Sequence, residues 1–136
     1  MRYSHSLTVP FQDVDAAGKV FFAHLFRYAH EAYERFMEHI GLPLAGWIDS
    51  AEYLIPISHA QCDYHLPLQL NQTISIELAL VRLGNSAFTL RYRFLGKDGQ
   101  CHATAETVHV LVAAREHTST PIPRHLRLAL ESYLDT

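Results

Sequence analysis

The stretch Phe11 to Ile40, FQDVDAAGKVFFAHLFRYAHEAYERFMEHI, passes from an acidic turn through a glycine into one long amphipathic helix. Apolar residues fall at Phe22, Leu25, Phe26, Ala29, Ala32, Tyr33, Phe36, Met37 and Ile40, the three-and-four spacing of a single buried stripe. His24, Arg27, His30, Glu31, Glu34, Arg35 and Glu38 take the remaining surface, where Arg27/Glu31 and Glu31/Arg35 are spaced for weak ion pairs. Gly41 is placed to cap the C-terminal end, and Pro43 prevents the helix from resuming.

Outward from this helix, everything else reads as sheet. Upstream, Tyr3, His5, Leu7 and Val9 alternate with Ser4, Ser6 and Thr8, a half-buried strand. Downstream, Gly41 to Ala51 is a connection containing the lone Trp47, and residues 53 to 64 are extended but irregular near Pro56. After a loop at 66 to 71, Ile74, Ile76, Leu78 and Leu80 alternate with polar or small residues, and Gly84-Asn85 turns the chain. Phe88, Leu90, Tyr92 and Phe94 repeat the pattern up to a turn at Asp98-Gly99. Residues 102 to 114 form the last strand. Its run from Val108 to Ala114 is apolar on both faces apart from His109, as expected of a central strand or one covered by a partner. Leu126, Ala129, Leu130, Tyr133 and Leu134 predict a short C-terminal helix. The total is an α+β fold: an antiparallel sheet with one long helix inserted after its first strand to cover its apolar face.

Composition narrows the function. At 136 residues and 49% hydrophobic, the chain 1–136 is expected to be a single domain with its own core. A net charge of -3 and the lack of a basic run argue against nucleic acid as a partner. No apolar run has the length of a membrane span, and no leader-like segment opens the chain. Cys62 and Cys101 form neither a metal-ligand spacing nor a disulfide framework, which predicts free thiols in a reducing cytoplasm. The ten histidines do not assemble a metal motif: His30-Glu31-x-x-Glu34 lacks the second histidine of a zinc site, and His24 and His30 fall on different helical faces. No metal or other cofactor is expected.

Asp13 and Asp15 admit two readings. In one they only start the helix, where unpaired N–H groups attract negative charge. In the other, Asp15 is a catalytic carboxylate beside an oxyanion hole made by the first free N–H groups of the helix. A carboxylate can attack a thioester carbonyl, or activate water to do so, while fixed donors hold the developing charge. Ala16, Ala17 and Gly18 leave room for a substrate to approach the backbone.

The run Asp13-Val14-Asp15-Ala16-Ala17-Gly18-Lys19-Val20, followed by aromatic residues and a helix, resembles the signature of hotdog-fold acyl-CoA thioesterases of the 4-hydroxybenzoyl-CoA thioesterase type. Pro56-Ile57, Tyr64-His65-Leu66-Pro67 and Ile74-Ser75-Ile76-Glu77 are similar to that family at the corresponding distances, so the resemblance covers roughly residues 3 to 114. Within the family, FQDVDAAG together with His30-Glu31-Ala32-Tyr33-Glu34 looks most like the 1,4-dihydroxy-2-naphthoyl-CoA hydrolases of phylloquinone synthesis.

The resemblance implies a hotdog fold, in which the sheet wraps the helix and two protomers pair, as a homodimer or homotetramer, to complete the sites. It also implies an acyl-CoA substrate, with Asp15 as nucleophile or general base and the backbone N–H of Phe22 polarising the thioester carbonyl. Phe21, Phe22, Phe26 and Trp47 are expected to wall a flat apolar acyl pocket, with His30 or Glu31 reading a ring hydroxyl. Lys19, Arg82, Arg91, Arg93, Lys97 and Arg115 are the cations available to CoA phosphates. A general acyl-CoA thioesterase of 4-hydroxybenzoyl-CoA or short-chain type is the neighbouring alternative, and a non-catalytic acyl-CoA binding module the more distant one. A hotdog dehydratase is disfavoured, because no G-D-x-N-P-x-H or H-F-P-G stretch is present.

Overall fold

The structure, a computed structural model, describes residues 1–135. Five antiparallel strands form the main sheet in the order β1-β4-β5-β6-β3, where β1 is Tyr3–Thr8, β3 Ile57–Tyr64, β4 Thr73–Leu83, β5 Ala87–Leu95 and β6 Cys101–Val110. Alternation sets the register. Leu78 stands opposite both Tyr3 and Tyr92, so every second residue of three neighbouring strands faces one side. On that side Ile74, Ile76, Leu78 and Leu80 join Phe88, Leu90, Tyr92 and Phe94, all buried.

Helix α1, His24–His39, covers this face with Leu25, Tyr28, Ala29, Ala32, Tyr33, Phe36 and Met37. It ends as Gly41 predicts. That residue lies at φ +82°, its N–H donates to Glu38 O (3.0 Å), and the Leu42 N–H donates to Met37 O (2.9 Å), a Schellman motif in which glycine adopts the left-handed conformation without strain.

Four expectations are corrected. The helix starts two residues later than its apolar pattern suggests, with Phe21–Ala23 forming a lead-in turn, and Phe22 (59% exposed) and Phe26 (36%) are excluded from the core. With His30 they make a second, outward stripe at four-residue spacing. The expected Arg27/Glu31 and Glu31/Arg35 pairs do not form: Arg27 reaches Asp13, Glu31 reaches His5, and Arg35 pairs within the helix with Glu34 and Glu38 instead. Finally, the Gly41–Ala51 connection contains a helix, α2 (Leu44–Ser50), which Trp47 anchors to the core. The expected last strand breaks at Leu111, and Val112–Ala113 (β7) joins a small separate sheet between β2 (Tyr53–Leu54) and β8 (Thr118–Ser119). A C-terminal helix, α3, spans Arg124–Glu131.

β6 is a central strand, paired on both edges by β5 and β3. Its His109 is wholly buried, stacked on Phe88 (4.9 Å, 5°) and against Tyr33 (4.3 Å, 35°). Tyr92 Oη shares a hydrogen bond with Thr107 Oγ1 (2.8 Å), which shares another with His109 Nε2 (2.7 Å). The arrangement that uses both hydroxyl protons runs from Tyr92 to Thr107 to Nε2, assigning the His109 proton to Nδ1, which has no partner among the described residues. Burial, with a smaller contribution from His30, pushes the His109 pKa down to about 3 from an ordinary 6.5.

Because the folded value lies below the unfolded one, this group's contribution is complete above pH 6.5 and is lost as pH falls from there toward 3, at up to about 1.4 kcal/mol per pH unit. Urea unfolding of the parent and His109→Gln proteins should therefore show a stability difference that shifts by roughly 2 kcal/mol between pH 7 and pH 5. A difference independent of pH over that interval contradicts the assignment.

Candidate active site

Asp15 sits on a hairpin, not at a helix cap. Val14 and Val20 pair across it, the Asp15 N–H donates to Lys19 O (2.8 Å), and the Gly18 N–H donates to Asp15 O (3.0 Å). Gly18, at φ +77°, closes the three-residue loop. The Asp15 Oδ1 accepts from the N–H groups of Ala17 (2.9 Å) and Lys19 (3.2 Å). One carboxylate oxygen thus locks the side chain to its own turn, while Oδ2 makes no hydrogen bond among the described residues of an exposed loop. The residue at the cap of α1 is Ala23, with no side-chain cap, so the helix-starting reading of both aspartates is set aside.

Asp13 is committed elsewhere. Its buried carboxylate accepts from the Tyr28 hydroxyl (2.6 Å) and pairs with the Arg27 guanidinium, and His24 Nδ1 lies 3.9 Å away. Burial pushes this carboxyl up, but the Tyr28 and Arg27 hydrogen bonds and the Arg27 charge outweigh it and hold the group below its ordinary value. The Asp13 carbonyl also accepts the Phe21 N–H (3.0 Å). Asp13 therefore ties the hairpin to the start of α1, and the next two N–H groups, of Phe22 and Ala23, have no acceptor among the described residues. They lie at the positive end of the helix, where an anionic oxygen is stabilised.

Tyr64 of β3 donates its hydroxyl to Phe22 O (3.0 Å), bracing the same turn from the sheet side. A cavity of about 320 Å³ opens here between Val20, Phe22, Leu25, Tyr64, Leu66 and Leu68. Further along α1, a second cavity of about 330 Å³ lies between His30, Tyr33, Trp47, Tyr53 and Ile55. The expected aromatic walls are thus divided. Phe22 borders the first cavity, Trp47 the second, and Phe26 stands between them on the helix, while Phe21 packs against Phe22 with the rings tilted, 4.9 Å between centroids. Trp47 is nearly buried, its indole N–H donating to Leu42 O (3.2 Å) and its ring stacked on His125.

His30 lines the second cavity, but the structure does not bring Glu31 to this face: its Oε2 lies 2.6 Å from His5 Nε2 on the β1 flank. Arg91 and Arg93 pair with Glu106 and Glu77 across the sheet, the solvated use of such residues. Tyr64 and Tyr33 escaped the sequence reading as site residues. Tyr64 stands in the Tyr-His-Leu-Pro run whose position was visible, but Tyr33 was indistinguishable from its neighbours in the apolar stripe. Among the described residues no helix is long and apolar enough to cross a membrane, and no cluster of three or more His, Cys, Asp or Glu is placed to hold a metal.

A free carboxylate oxygen on the hairpin, and free N–H groups on the adjoining turn where Phe22 borders an apolar cavity, suit acyl transfer. The family model of the thioesterase-like superfamily matches residues 9–130. The chain belongs to that superfamily. This thioesterase is 35% identical over 126 residues to a 1,4-dihydroxy-2-naphthoyl-CoA hydrolase of Synechococcus elongatus, covering 92% of both chains. It is 34% identical over 125 residues to the enzyme of the same name from Thermosynechococcus vestitus, covering 92% of this chain and 86% of the other.

Among solved structures, the thioesterase superposes on a 1,4-dihydroxy-2-naphthoyl-CoA thioesterase from Synechocystis with a TM-score of 0.90, at 26% identity over 96% of each chain. A gentisyl-coenzyme A thioesterase aligns with a TM-score of 0.84, at 27% identity over 95% of this chain and 99% of that one. The sheet wrapped around α1 is the hotdog fold, and the chain is an enzyme acting on CoA thioesters.

Proposed function

We propose that this thioesterase hydrolyses 1,4-dihydroxy-2-naphthoyl-CoA to 1,4-dihydroxy-2-naphthoate and CoA, a step of phylloquinone biosynthesis, as one hotdog domain in the cytoplasm. The supporting observation is likeness at 35% identity across 92% of the chain to a hydrolase named for that reaction. Chemistry of the second neighbour agrees. Gentisyl and 1,4-dihydroxy-2-naphthoyl groups share a hydroquinone ring, with one hydroxyl ortho to the thioester carbonyl and the other meta to it.

In the proposed reaction the carbonyl oxygen accepts from the Phe22 N–H, helped by the Ala23 N–H, and Asp15 Oδ2 acts at the carbonyl carbon. Either it attacks, giving a mixed anhydride that water cleaves after the CoA thiolate leaves, or it takes a proton from the water that attacks. Phe26 and His30 lie one and two turns beyond Phe22, roughly 6 and 12 Å along the axis. That run offers a flat apolar surface to a bicyclic acyl group anchored at its carbonyl, with a polar side chain beyond it for a ring hydroxyl. Thiol release from a panel of acyl-CoAs, read with a chromogenic disulfide, tests the assignment.

A homodimer, alone or within a homotetramer, is the second part of the proposal. β3 is an edge strand with its ladder open on one side, and Ile57, Tyr64 and Leu66 are exposed there together with Leu54, Phe22 and Phe26. An open edge carrying apolar side chains is suited to a second copy. Light scattering at micromolar concentration should give at least twice the 15.5 kDa mass of the chain. A monomer there contradicts pairing and the shared site with it.

A further inference from the structure

The second cavity carries one hydroxyl to which the proposed hydrolysis has assigned no role. Tyr33 lines it, is only 3% exposed, and makes no hydrogen bond through its hydroxyl among the described residues. Of the other buried tyrosines, Tyr28 donates to Asp13 and Tyr92 is joined to Thr107, while Tyr133, which lines neither cavity, also makes no side-chain hydrogen bond among the described residues. The Tyr33 hydroxyl is not sealed in the core, so its open side is the cavity that Tyr33 lines.

The ring beside it differs: His109, tilted against Tyr33 at 4.3 Å, has an enclosed Nδ1 without a partner among the described residues. His109 is itself flat against Phe88, so the stack holds the Tyr33 phenol in one place. His30, 5.6 Å from Tyr33 ring to ring, is exposed at the rim. The remaining walls, among them Trp47, Tyr53, Leu44 and Ile55, are apolar. At about 330 Å³ the space is at the small end of the roughly 300–1,000 Å³ of ligand sites and is suited to a flat ring with one polar substituent.

We infer that Tyr33 is a specificity-determining residue whose hydroxyl hydrogen-bonds the distal ring hydroxyl of the acyl group. This rests on the proposed aromatic substrate and deepens it. In 1,4-dihydroxy-2-naphthoyl-CoA the 1-hydroxyl is ortho to the carbonyl and bonds to it internally. The 4-hydroxyl is left to seek a protein partner, and Tyr33, leaning back along α1 toward its N-terminus, supplies one.

The experiment compares kcat/KM for 1,4-dihydroxy-2-naphthoyl-CoA and for 1-hydroxy-2-naphthoyl-CoA, which lacks the distal hydroxyl, in the parent and in Tyr33→Phe. The parent should prefer the dihydroxy ester by roughly 10- to 100-fold. Tyr33→Phe, which preserves the ring stack, should bring the ratio to within about threefold of unity by loss on the dihydroxy ester. Equilibrium binding of the two free acids, measured under reducing conditions, should show the same collapse and does not depend on turnover. A ratio unchanged in Tyr33→Phe overturns the inference and leaves the proposed function standing, as does a ratio abolished by His30→Ala alone. Failure of the parent to hydrolyse either ester overturns both.

Discussion

Asp15→Asn is expected to lose turnover by about a thousandfold or more while retaining its fold and its affinity for acyl-CoA. The structure explains why the two effects separate. Oδ1 holds the hairpin by accepting from the Ala17 and Lys19 N–H groups, and an asparagine carbonyl oxygen accepts from both equally well. What asparagine cannot supply is the second oxygen. In its place stands an NH2 group, which neither attacks a carbonyl nor accepts a proton from water. The thermal midpoint should therefore stay close to that of the parent, and kcat should fall with KM or ligand Kd little changed. Asp13→Asn should show the opposite balance, with stability suffering more than turnover, because its carboxylate braces Arg27 and Tyr28. An Asp15→Asn protein that hydrolyses the best substrate at close to the parent rate excludes Asp15 as the reacting carboxylate.

The second large effect is selectivity for the acyl group. Phe22, Phe26 and Trp47 place flat apolar surface along one flank of α1, and a bicyclic ring buries more area there than a six-carbon chain, which also gives up rotational freedom on binding. The expected kcat/KM for 1,4-dihydroxy-2-naphthoyl-CoA exceeds that for hexanoyl-CoA by roughly a hundredfold or more, about 3 kcal/mol in transition-state binding. Benzoyl-CoA, with one ring and no hydroxyl, should fall between them. Comparable values for the naphthoyl and hexanoyl esters reject aromatic selectivity and leave a general acyl-CoA thioesterase.

Residues whose partners lie in a regular pattern were readable in the sequence. The alternation of Ile74 to Leu80 against Phe88 to Phe94 becomes the centre of the sheet as expected, since a period of two admits one buried face. Gly41 ends α1 because the left-handed turn there suits glycine. What escaped was decided by tertiary partners. Apolar spacing on α1 cannot tell Phe36, which meets the sheet, from Phe22 and Phe26, which border the site; both obey the same helical rule.

Glu31 was equally ambiguous. His5 is 26 residues away, and only the packing of β1 against α1 brings the two within 2.6 Å. The hairpin that carries Asp15 lacks the Asn-Gly signal of tight turns, so its closure through the side chain of Asp15 itself was hidden in an Ala-Ala-Gly run. α2 is only seven residues long, too short for a helical period to stand out. Tyr33 shows the limit most plainly. As a letter it is another apolar position, and only its unmatched hydroxyl on a cavity wall distinguishes it from core.

The most direct measurement is steady-state thiol release from 1,4-dihydroxy-2-naphthoyl-CoA by the purified parent protein, with the uncatalysed rate subtracted. Turnover in the ordinary enzymatic range, roughly 1 to 1,000 per second, with one CoA released per naphthoate formed, is the predicted result. Binding of the ester with no thiol released above the uncatalysed rate would contradict hydrolysis of that thioester at this site.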